Sequence, residues 1–175
     1  MEIVGIDVDD RADGNGKAGL TWISKNAKFT KGGTYIRWDQ KNIYLPNELE
    51  SIENDMQSNV RSGIVPVTKS TFMDGTVSDS SMTVWSPSFR EIRGIEYPEN
   101  WEKTGPIYSE RFPDATSRIK YIVDKSTNTS FTLRTAVCWT ARTNSKGVIN
   151  AEGGTASSNA NTNKQIYVVF GFCTN

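Results

Sequence analysis

The sequence contains no histidine among its 175 residues. This absence excludes Ser-His-Asp and Cys-His nucleophilic systems, imidazole acid–base catalysis near neutral pH and histidine-ligated zinc. Cysteine is also scarce, and its two occurrences are too few for a zinc site made only of thiolates. An enzyme built from this chain would therefore depend on paired carboxylates, a lysine-activated nucleophile or a metal site of oxygen ligands.

Neither sign of charge is in excess, because 20 Lys and Arg residues balance 20 Asp and Glu residues. Such a chain has no long-range field that would attract nucleic acid or an anionic membrane. No apolar run approaches the roughly 18 residues of a membrane helix, and Met1–Asp7 carries acids where a signal peptide has a basic region. We expect no nucleic-acid partner, no membrane insertion and a protein kept in the cytosol or released without Sec export.

The two cysteines, Cys138 and Cys173, each accompany an apolar run that is typical of a strand. Free cysteine is among the most buried residue types, which favours two buried thiols. A disulfide between paired strands is the alternative, and it requires an oxidising environment. The sequence leaves both interpretations open.

The N-terminal part of the chain predicts two strands and a helix. Ile3–Ile6 and Leu20–Ile23 are short apolar runs, and the Asp- and Gly-rich stretch 9–16 between them is typical of a turn. A helix is predicted from Pro46, with Gly63 placed to end it. Its apolar residues recur at helical spacing: Leu49, Ile52, Met56 and Val60.

The middle of the chain predicts short strands and a second helix. Ile64–Lys69 contains a proline, which favours extended backbone, and Met82–Trp85 has the composition of a strand. A shorter helix is predicted over Asp114–Val123. Two helices among several strands that do not alternate with them indicate an α+β domain. The length suits one core and no linker divides the chain, so we expect a single domain over 1–175.

The last third of the chain predicts a strand, a long polar loop and a closing strand. Phe131–Ala136 and Ile166–Cys173 are the apolar runs, and the segment 143–163 between them is rich in Asn, Ser, Thr and Gly. A rigid frame that carries a variable polar loop suits recognition better than catalysis.

Five segments in this order resemble the signature of a domain family common in phage and prophage structural proteins, often at the C-terminal end of tail or baseplate-associated fibres. The stretch Ala12–Ile23 is also similar to the opening of that family, so the resemblance covers nearly the whole chain. The five segments are Val84–Ile92 (VWSPSFREI), Gly105–Ser109 (GPIYS), Arg118–Lys120 (RIK), Leu133–Ala136 (LRTA) and Val169–Cys173 (VFGFC).

The resemblance implies a C-type-lectin-like fold and no enzyme activity. It implies a protein of the virion surface, assembled in the host cytoplasm, in which a fibre tip recognises a bacterial envelope receptor. A glycan receptor is inferred from the fold analogy. The implied partners are this receptor, other virion proteins and further copies of the chain. Because fibres are commonly trimeric, a trimer is one possible assembly of these copies. The alternative is a structural, head-decoration or head-fibre protein that contacts other virion proteins.

The polar loop supplies the candidate ligand-binding residues. Asn side chains both donate and accept hydrogen bonds, which suits hydroxyl-rich glycans, although ordinary polar loops have the same composition. Arg142 lies at the entrance of the loop, and Trp38 and Trp101 lie in polar surroundings where an aromatic ring could be exposed. The asparagines are Asn144, Asn150, Asn159, Asn161 and Asn163.

Acidic residues raise two further hypotheses, neither of which we favour. Calcium binding is suggested by four aspartates near the N-terminus, but the EF-hand spacing fails, since it would require ligands at Arg11 and Leu20. We therefore expect a structural turn, no metal and no cofactor. The aspartates are Asp7, Asp9, Asp10 and Asp13. A glycan depolymerase would need two acids about 5 to 10 Å apart; the candidates are Glu96, Glu99, Glu102 and Glu110.

Three charged residues inside apolar segments are predicted to have partners in the core. Arg90 and Glu91 are expected to form buried or half-buried ion pairs that lock the centre of the fold. Arg134, in an apolar strand, is expected to meet a carboxylate or several carbonyls, because an isolated buried guanidinium is very unfavourable. A basic run, by contrast, is interpreted as a solvated face, with a phosphate-rich target as the alternative: Lys25, Lys28, Lys31, Arg37 and Lys41.

Overall fold

The computed structural model describes residues 1–29, 44–73, 76–94, 105–108, 110–122, 128–129, 131–136, 145–149, 155–159 and 167–175. Within these residues the chain is a mixed α+β structure dominated by strands. The helices are α1 (Tyr44–Asn54), α2 (Ser58–Arg61) and α3 (Phe89–Arg93). The strands are β1 (Glu2–Ile6), β2 (Leu20–Ile23), β3 (Asn26–Phe29), β4 (Ile64–Val65), β5 (Val67–Met73), β6 (Thr76–Met82), β7 (Val84–Trp85), β8 (Lys120–Ile122), β9 (Asn128–Thr129), β10 (Phe131–Ala136), β11 (Ser145–Ile149), β12 (Thr155–Asn159), β13 (Tyr167–Val168) and β14 (Gly171–Thr174).

A five-stranded sheet is built around β14. Strands β1, β2 and β14 are consecutive antiparallel neighbours, and the other edge of β14 pairs with both β4 and β7. The register sets Trp22 opposite Phe172 and Thr21 opposite Cys173. Because side chains alternate along a strand, these two cross-strand pairs face opposite sides of the sheet.

A seven-stranded sheet has the order β12-β11-β10-β13-β3-β8-β9. The β10–β13 and β3–β8 pairs are parallel, and the other neighbours are antiparallel. Strand β12 forms one edge of this order and β9 the other.

Two neighbouring crossovers connect the sheets. One runs from β2 through Ser24 to β3, and the other runs from β13 through Phe170 to β14. The backbone N–H of Ser24 donates to the Phe170 carbonyl (2.8 Å), and the Phe170 N–H donates to the Ser24 hydroxyl (3.1 Å). Ser24 and Phe170 lie where the chain passes from one sheet to the other, so their backbone N–H groups have no partner in either sheet. These two bonds supply that partner.

The long hairpin of β5 and β6 forms a two-stranded sheet of its own. Its first residues are joined to the turn after β1, because Arg11 and Val67 form an antiparallel bridge. The Thr68 N–H donates to the Asp10 carbonyl (2.8 Å), and the Ala12 N–H donates to the Pro66 carbonyl (2.9 Å).

The buried apolar side chains form two hydrophobic clusters. The larger contains Trp85, whose ring stacks on Tyr108 with 6.1 Å between centroids, together with Ile92 and Val67. The smaller packs the apolar face of α1 against β7, β13 and β14, with Leu49, Ile52, Val84, Val168 and Phe172.

Several predictions from the sequence are confirmed. Strands occupy Glu2–Ile6 and Leu20–Ile23, and Ile64–Lys69 is extended in β4 and β5. The stretch 9–16 is a turn in which Gly14 and Gly16 have positive φ angles of 76° and 83°. Prediction of an α+β mixture is likewise confirmed.

Both predicted helices differ from the structure. The first starts at Tyr44 and ends at Asn54, and α2 follows separately, because Gln57 has an extended ψ of 142° between them. Val60 is consequently 39% exposed and not part of a continuous apolar stripe.

The second predicted helix, Asp114–Val123, is wrong. Only Thr116–Arg118 forms a short 3₁₀ helix, and β8 follows it. Local hydrogen bonds compete with an α-helix here, since Ser117 N–H donates to the Asp114 carboxylate and its hydroxyl donates to the Asp114 carbonyl, both at 2.8 Å.

The predicted polar loop over 143–163 and the single closing strand also need correction. Strands β11 and β12 lie inside the loop segment and pair in register from Ser145–Asn159 to Ile149–Thr155. The Thr, Val and Ile residues of these strands favour extended structure. The many polar residues of the segment, however, predict a loop. The closing run is two strands in different sheets, β13 and β14.

No helix in the described part of the chain is long and apolar enough to span a membrane.

We predict that Gly171→Ala destabilises the protein by about 1–3 kcal/mol, the usual cost of overpacking a core. A Cβ atom at this position would lie 2.6 Å from Cη2 of Trp85 and 2.7 Å from the Trp22 carbonyl oxygen. Urea unfolding would measure the change.

The matched control is Gly63→Ala, whose Cβ would have its nearest neighbour, the Val60 carbonyl oxygen, at 3.5 Å. This variant should be unchanged or more stable by about 0.4–1 kcal/mol, because alanine restricts the unfolded chain. Equal unfolding free energies for the two variants would contradict the close packing of Gly171 on Trp85.

Candidate functional site

The most unusual feature of the described structure is a buried polar cluster, which we call the Lys69 cluster. It consists of Asp9, Thr21, Lys69, Glu91 and Tyr108. The side chains of Asp9 and Lys69 are fully buried, and that of Glu91 is 2% exposed. Charged side chains are almost never buried so completely unless they are paired.

Local structure directs each charged group inward. Lys69 follows Val67 by two residues on β5, and both side chains are buried while Thr68 between them is half-buried, as strand alternation requires. Glu91 is fixed by a capping box at the start of α3. Its carboxylate accepts from the Ser88 N–H (2.8 Å), and its own N–H donates to the Ser88 hydroxyl (3.2 Å).

The ammonium of Lys69 has three oxygen acceptors. Its Nζ lies 2.6 Å from Oδ1 of Asp9, 2.7 Å from Oε1 of Glu91 and 2.7 Å from the Tyr108 hydroxyl oxygen. The ring of Trp85 lies beneath it, with its centroid 3.6 Å from Nζ. Three N–H groups therefore meet three acceptors, and an aromatic face adds a cation–π contact.

The carboxylate of Asp9 accepts hydrogen bonds from several groups besides Lys69. Thr21 Oγ1 donates to Oδ2 (2.5 Å), and the Tyr108 hydroxyl lies 2.8 Å from Oδ2 and 3.0 Å from Oδ1. The Cys173 thiol lies 3.6 Å from Oδ2. The two oxygens have different surroundings: Lys69 contacts Oδ1, whereas the Thr21 hydroxyl contacts Oδ2.

The surroundings keep the neighbouring phenol and thiol protonated. Burial, and then the charges of Glu91 and Asp9, raise the pKa of Tyr108 well above its ordinary value. Burial followed by the charge of Asp9 raises the pKa of Cys173 to about 12. At neutral pH both groups are therefore hydrogen-bond donors to Asp9.

The structure places Arg90, Glu91 and Cys173 among the residues whose partners the sequence left open. The prediction for Glu91 is confirmed by its pair with Lys69. Arg90 is half-buried and its Nε donates to the Gly105 carbonyl (3.3 Å). Cys173 is a buried free thiol, as the favoured interpretation expected, and Cys138 lies outside the described residues. The side chain of Arg134 is likewise not described.

The N-terminal aspartates have separate partners. Asp10 forms an exposed ion pair with Lys17 and Asp13 forms one with Arg11, each at 2.7 Å. The guanidinium of Arg11, followed by the Asn15 N–H, lowers the pKa of Asp13. The interpretation of this stretch as a structural turn is confirmed.

A second feature is an open groove of about 640 Å³, which we call the Trp22 groove. It lies on the face of the β2–β14 pair that points away from the Lys69 cluster. The half-buried Trp22 ring stacks on Phe172 with 6.4 Å between centroids. Its Nε1 donates to Oγ1 of Thr174 (3.2 Å), which fixes the orientation of the indole. Small-molecule sites typically combine such an apolar wall with a few polar groups.

Polar side chains lie around this aromatic wall. The groove is lined by Asn59, Ser62 and Asn175 as well as by Thr174. Oδ1 of Asn175 accepts from Nη1 of Arg11 (2.7 Å), so the amide is held in one orientation. A stacking surface beside fixed amide and hydroxyl groups can bind a ring that is apolar on one face and carries hydroxyls at its edge.

Most of the binding residues predicted from the sequence lie outside the described residues. Asn159 is the exception, since it ends β12 opposite Ser145, although its side chain is not described. The others are Trp38, Trp101, Arg142, Asn144, Asn150, Asn161 and Asn163. Of the four depolymerase candidates, Glu110 is described and exposed, and Glu96, Glu99 and Glu102 are not described.

The basic run is described only at its start. Lys25 is exposed and Lys28 forms an exposed ion pair with Asp55 at 2.8 Å, as a solvated face would. Lys31, Arg37 and Lys41 lie outside the described residues.

Two pairs of residues were not predicted from the sequence: Asp9 and Lys69, which form a buried ion pair, and Trp22 and Phe172, which form the wall of the groove. Alternation was the available signal for Trp22, because in a strand with Thr21 and Ile23 inside, Trp22 must face the other side. Alternation also places Lys69 on the buried side with Val67, but the sequence does not show its partners, which are distant along the chain.

Comparison of the chain with models of known protein families, with curated proteins and with solved structures finds no match.

We predict that Lys69→Met lowers the free energy of unfolding by about 3–5 kcal/mol, because the variant leaves two buried carboxyl groups without their cation. The control is Lys17→Met. Lys17 pairs with Asp10 at a similar distance, 2.7 Å, but both side chains are exposed. This change should cost about 1 kcal/mol or less.

Urea unfolding followed by tryptophan fluorescence would compare the two variants. A Lys69→Met protein as stable as the Lys17→Met protein would show that the buried pairs do not hold the fold together.

Proposed function

We propose that this chain is a bacteriophage virion surface protein with a C-type-lectin-like fold, whose exposed face recognises a glycan of the bacterial envelope. The observation that carries the proposal is the Trp22 groove, in which a stacked aromatic wall lies beside oriented amide and hydroxyl groups. Sugars present an apolar ring face and polar edges, which such a wall complements.

The family resemblance gives a second line of support. Thr21, Glu91, Tyr108 and Cys173 come from four separate segments that resemble the phage domain family, and all four contact Asp9 or Lys69 at the Lys69 cluster. Four of the six segments that resemble the family thus meet at one point of the core. The strand-dominated α+β architecture supports the C-type-lectin-like part of the proposal.

The Asn-rich segment 143–163 is a second candidate for receptor contact on grounds of its composition. Its strands β11 and β12 pair with each other at one edge of the seven-stranded sheet, so the residues of Ser145–Ile149 and Thr155–Asn159 lie on paired strands. Several weak sites repeated over copies of the chain in a virion would bind a cell surface strongly through avidity.

The test is binding of the fluorescently labelled protein, displayed as a multimer on streptavidin, to intact cells of a panel of bacterial species. Periodate treatment of the cells, which oxidises vicinal diols of sugars, should abolish the binding. Trp22→Ala should weaken it by up to about tenfold per site, since aromatic packing of this kind contributes about 0.5–1.5 kcal/mol.

Two further variants separate the surfaces. Tyr121→Ala removes an aromatic ring on β8 that is 44% exposed and does not line the groove, and this variant should bind as the wild type does. A variant with Ala at Asn159, Asn161 and Asn163 tests the Asn-rich segment. Circular dichroism checks that each variant is folded.

The outcomes distinguish the proposals. Binding that resists periodate would contradict a glycan receptor. No binding of the multimer to any cell would contradict the receptor-binding role and favour the alternative, a structural protein that contacts other virion components.

A further inference from the structure

We propose that Lys69 and Asp9 form an intramolecular isopeptide bond, and that Glu91 transfers the protons of the reaction. The bond would join Nζ of Lys69 to Cγ of Asp9 and release one water molecule. This modification is independent of any receptor, and it concerns the buried Lys69 cluster and not the Trp22 groove.

Proximity is the first argument. Nζ of Lys69 lies 2.6 Å from Oδ1 of Asp9, and both side chains are fully buried. Reactive groups that are held in contact by a folded scaffold react as if at very high concentration. Lys69 is fixed by β5, and Asp9 is fixed by its hydrogen bonds to Thr21 and Tyr108.

The second argument is the polarisation of the Asp9 carboxyl group. Two hydroxyl groups donate to Oδ2, Thr21 at 2.5 Å and Tyr108 at 2.8 Å. Attack of Nζ on Cγ would place negative charge on one carboxyl oxygen, and donors arranged before the reaction stabilise that charge. Oδ1, the oxygen beside Lys69, is then the one that leaves.

The third argument is the position of Glu91. Its Oε1 contacts Nζ at 2.7 Å, and its Oε2 is held by the Ser88 N–H. A carboxylate in this position can take a proton from the attacking nitrogen and return it to the leaving oxygen. Since the capping box of α3 fixes Glu91, no rearrangement is needed to bring it to the amine.

The atoms balance without any further reagent. One proton of the Lys69 ammonium passes to Oδ1 of Asp9, and the free electron pair of Nζ forms the bond to Cγ. Glu91 then removes a second proton from Nζ and donates it to Oδ1. The Cγ–Oδ1 bond breaks, water leaves, the third proton stays on the amide nitrogen, and Glu91 is again a carboxylate.

The surroundings favour the amide. Trp85 and Tyr108 cover the Lys69 ammonium with aromatic rings, whose centroids lie 3.6 and 5.3 Å from Nζ. Conversion of the Lys69–Asp9 pair into a neutral amide removes two of the three buried charges. The remaining Glu91 carboxylate keeps its bond from the Ser88 N–H and can accept from the N–H of the new amide. Exclusion of water from the closed site also opposes hydrolysis of the bond once it has formed.

The bond would close a covalent loop between residues 60 positions apart. It would tie the turn after β1 to the β5–β6 hairpin, which is otherwise joined to that turn by backbone hydrogen bonds. A cross-link of this kind restricts the unfolded chain and would suit a protein exposed on a particle surface.

The experiment is mass spectrometry of the intact, full-length chain after reduction and denaturation. The proposal predicts a mass below the sequence mass by one water molecule. Trypsin digestion should then give a branched peptide that links Asp9 to Lys69, with cleavage after Lys69 blocked. Formation of a succinimide at Asp13–Gly14 or Asp74–Gly75 would also remove one water molecule, so hydroxylamine, which opens succinimides, is applied before the measurement.

Variants of the cluster and of an exposed neighbour show which residues the loss of water requires. Asp9→Ala and Glu91→Gln should each have their full sequence mass, whereas Asp10→Ala, which changes an exposed neighbour, should keep the loss of water. The wild-type mass decides the question even if a cluster variant does not fold. A folded wild-type protein with its full sequence mass, or a loss of water that maps to any other pair of residues, would overturn the proposal.

Discussion

The fold depends on the placement of one buried nitrogen atom, Nζ of Lys69, between the side chains of Asp9 and Glu91. Asp9 follows β1, Lys69 belongs to β5, and Glu91 lies in α3, so this contact joins three parts of the chain that no single sheet contains. Burial of any one of these groups without the others would be strongly unfavourable. Their mutual contact therefore specifies how the hairpin, the helix and the N-terminal turn meet.

The same two strands serve both the buried cluster and the exposed groove. Thr21 and Cys173 face Asp9, whereas their neighbours Trp22 and Phe172 form the groove wall on the other side of the sheet. Strand alternation thus couples the position of the aromatic wall to the hydrogen bonds beneath it. Because paired strands position this wall before any ligand arrives, the binding that we propose would cost little conformational entropy.

Much of the local structure follows from sequence patterns, but the cluster does not. Short apolar runs on either side of a Gly-rich turn predict strands β1 and β2. The break at Gln57 and the strands inside the Asn-rich segment were missed, since polar composition conceals pairing that depends on distant partners. Lys69 was missed for a physical reason: lysine is usually exposed, and only partners 22 and 60 residues away make its burial favourable.

The most direct test of this account is native-state amide hydrogen exchange. If the Lys69 cluster joins the elements into one cooperative unit, amides of β2, β5, β14 and α3 should exchange with a single opening free energy, equal to that of global unfolding. A β5 that opens locally at lower free energy, while β2 and β14 stay protected, would contradict the central role assigned to the cluster.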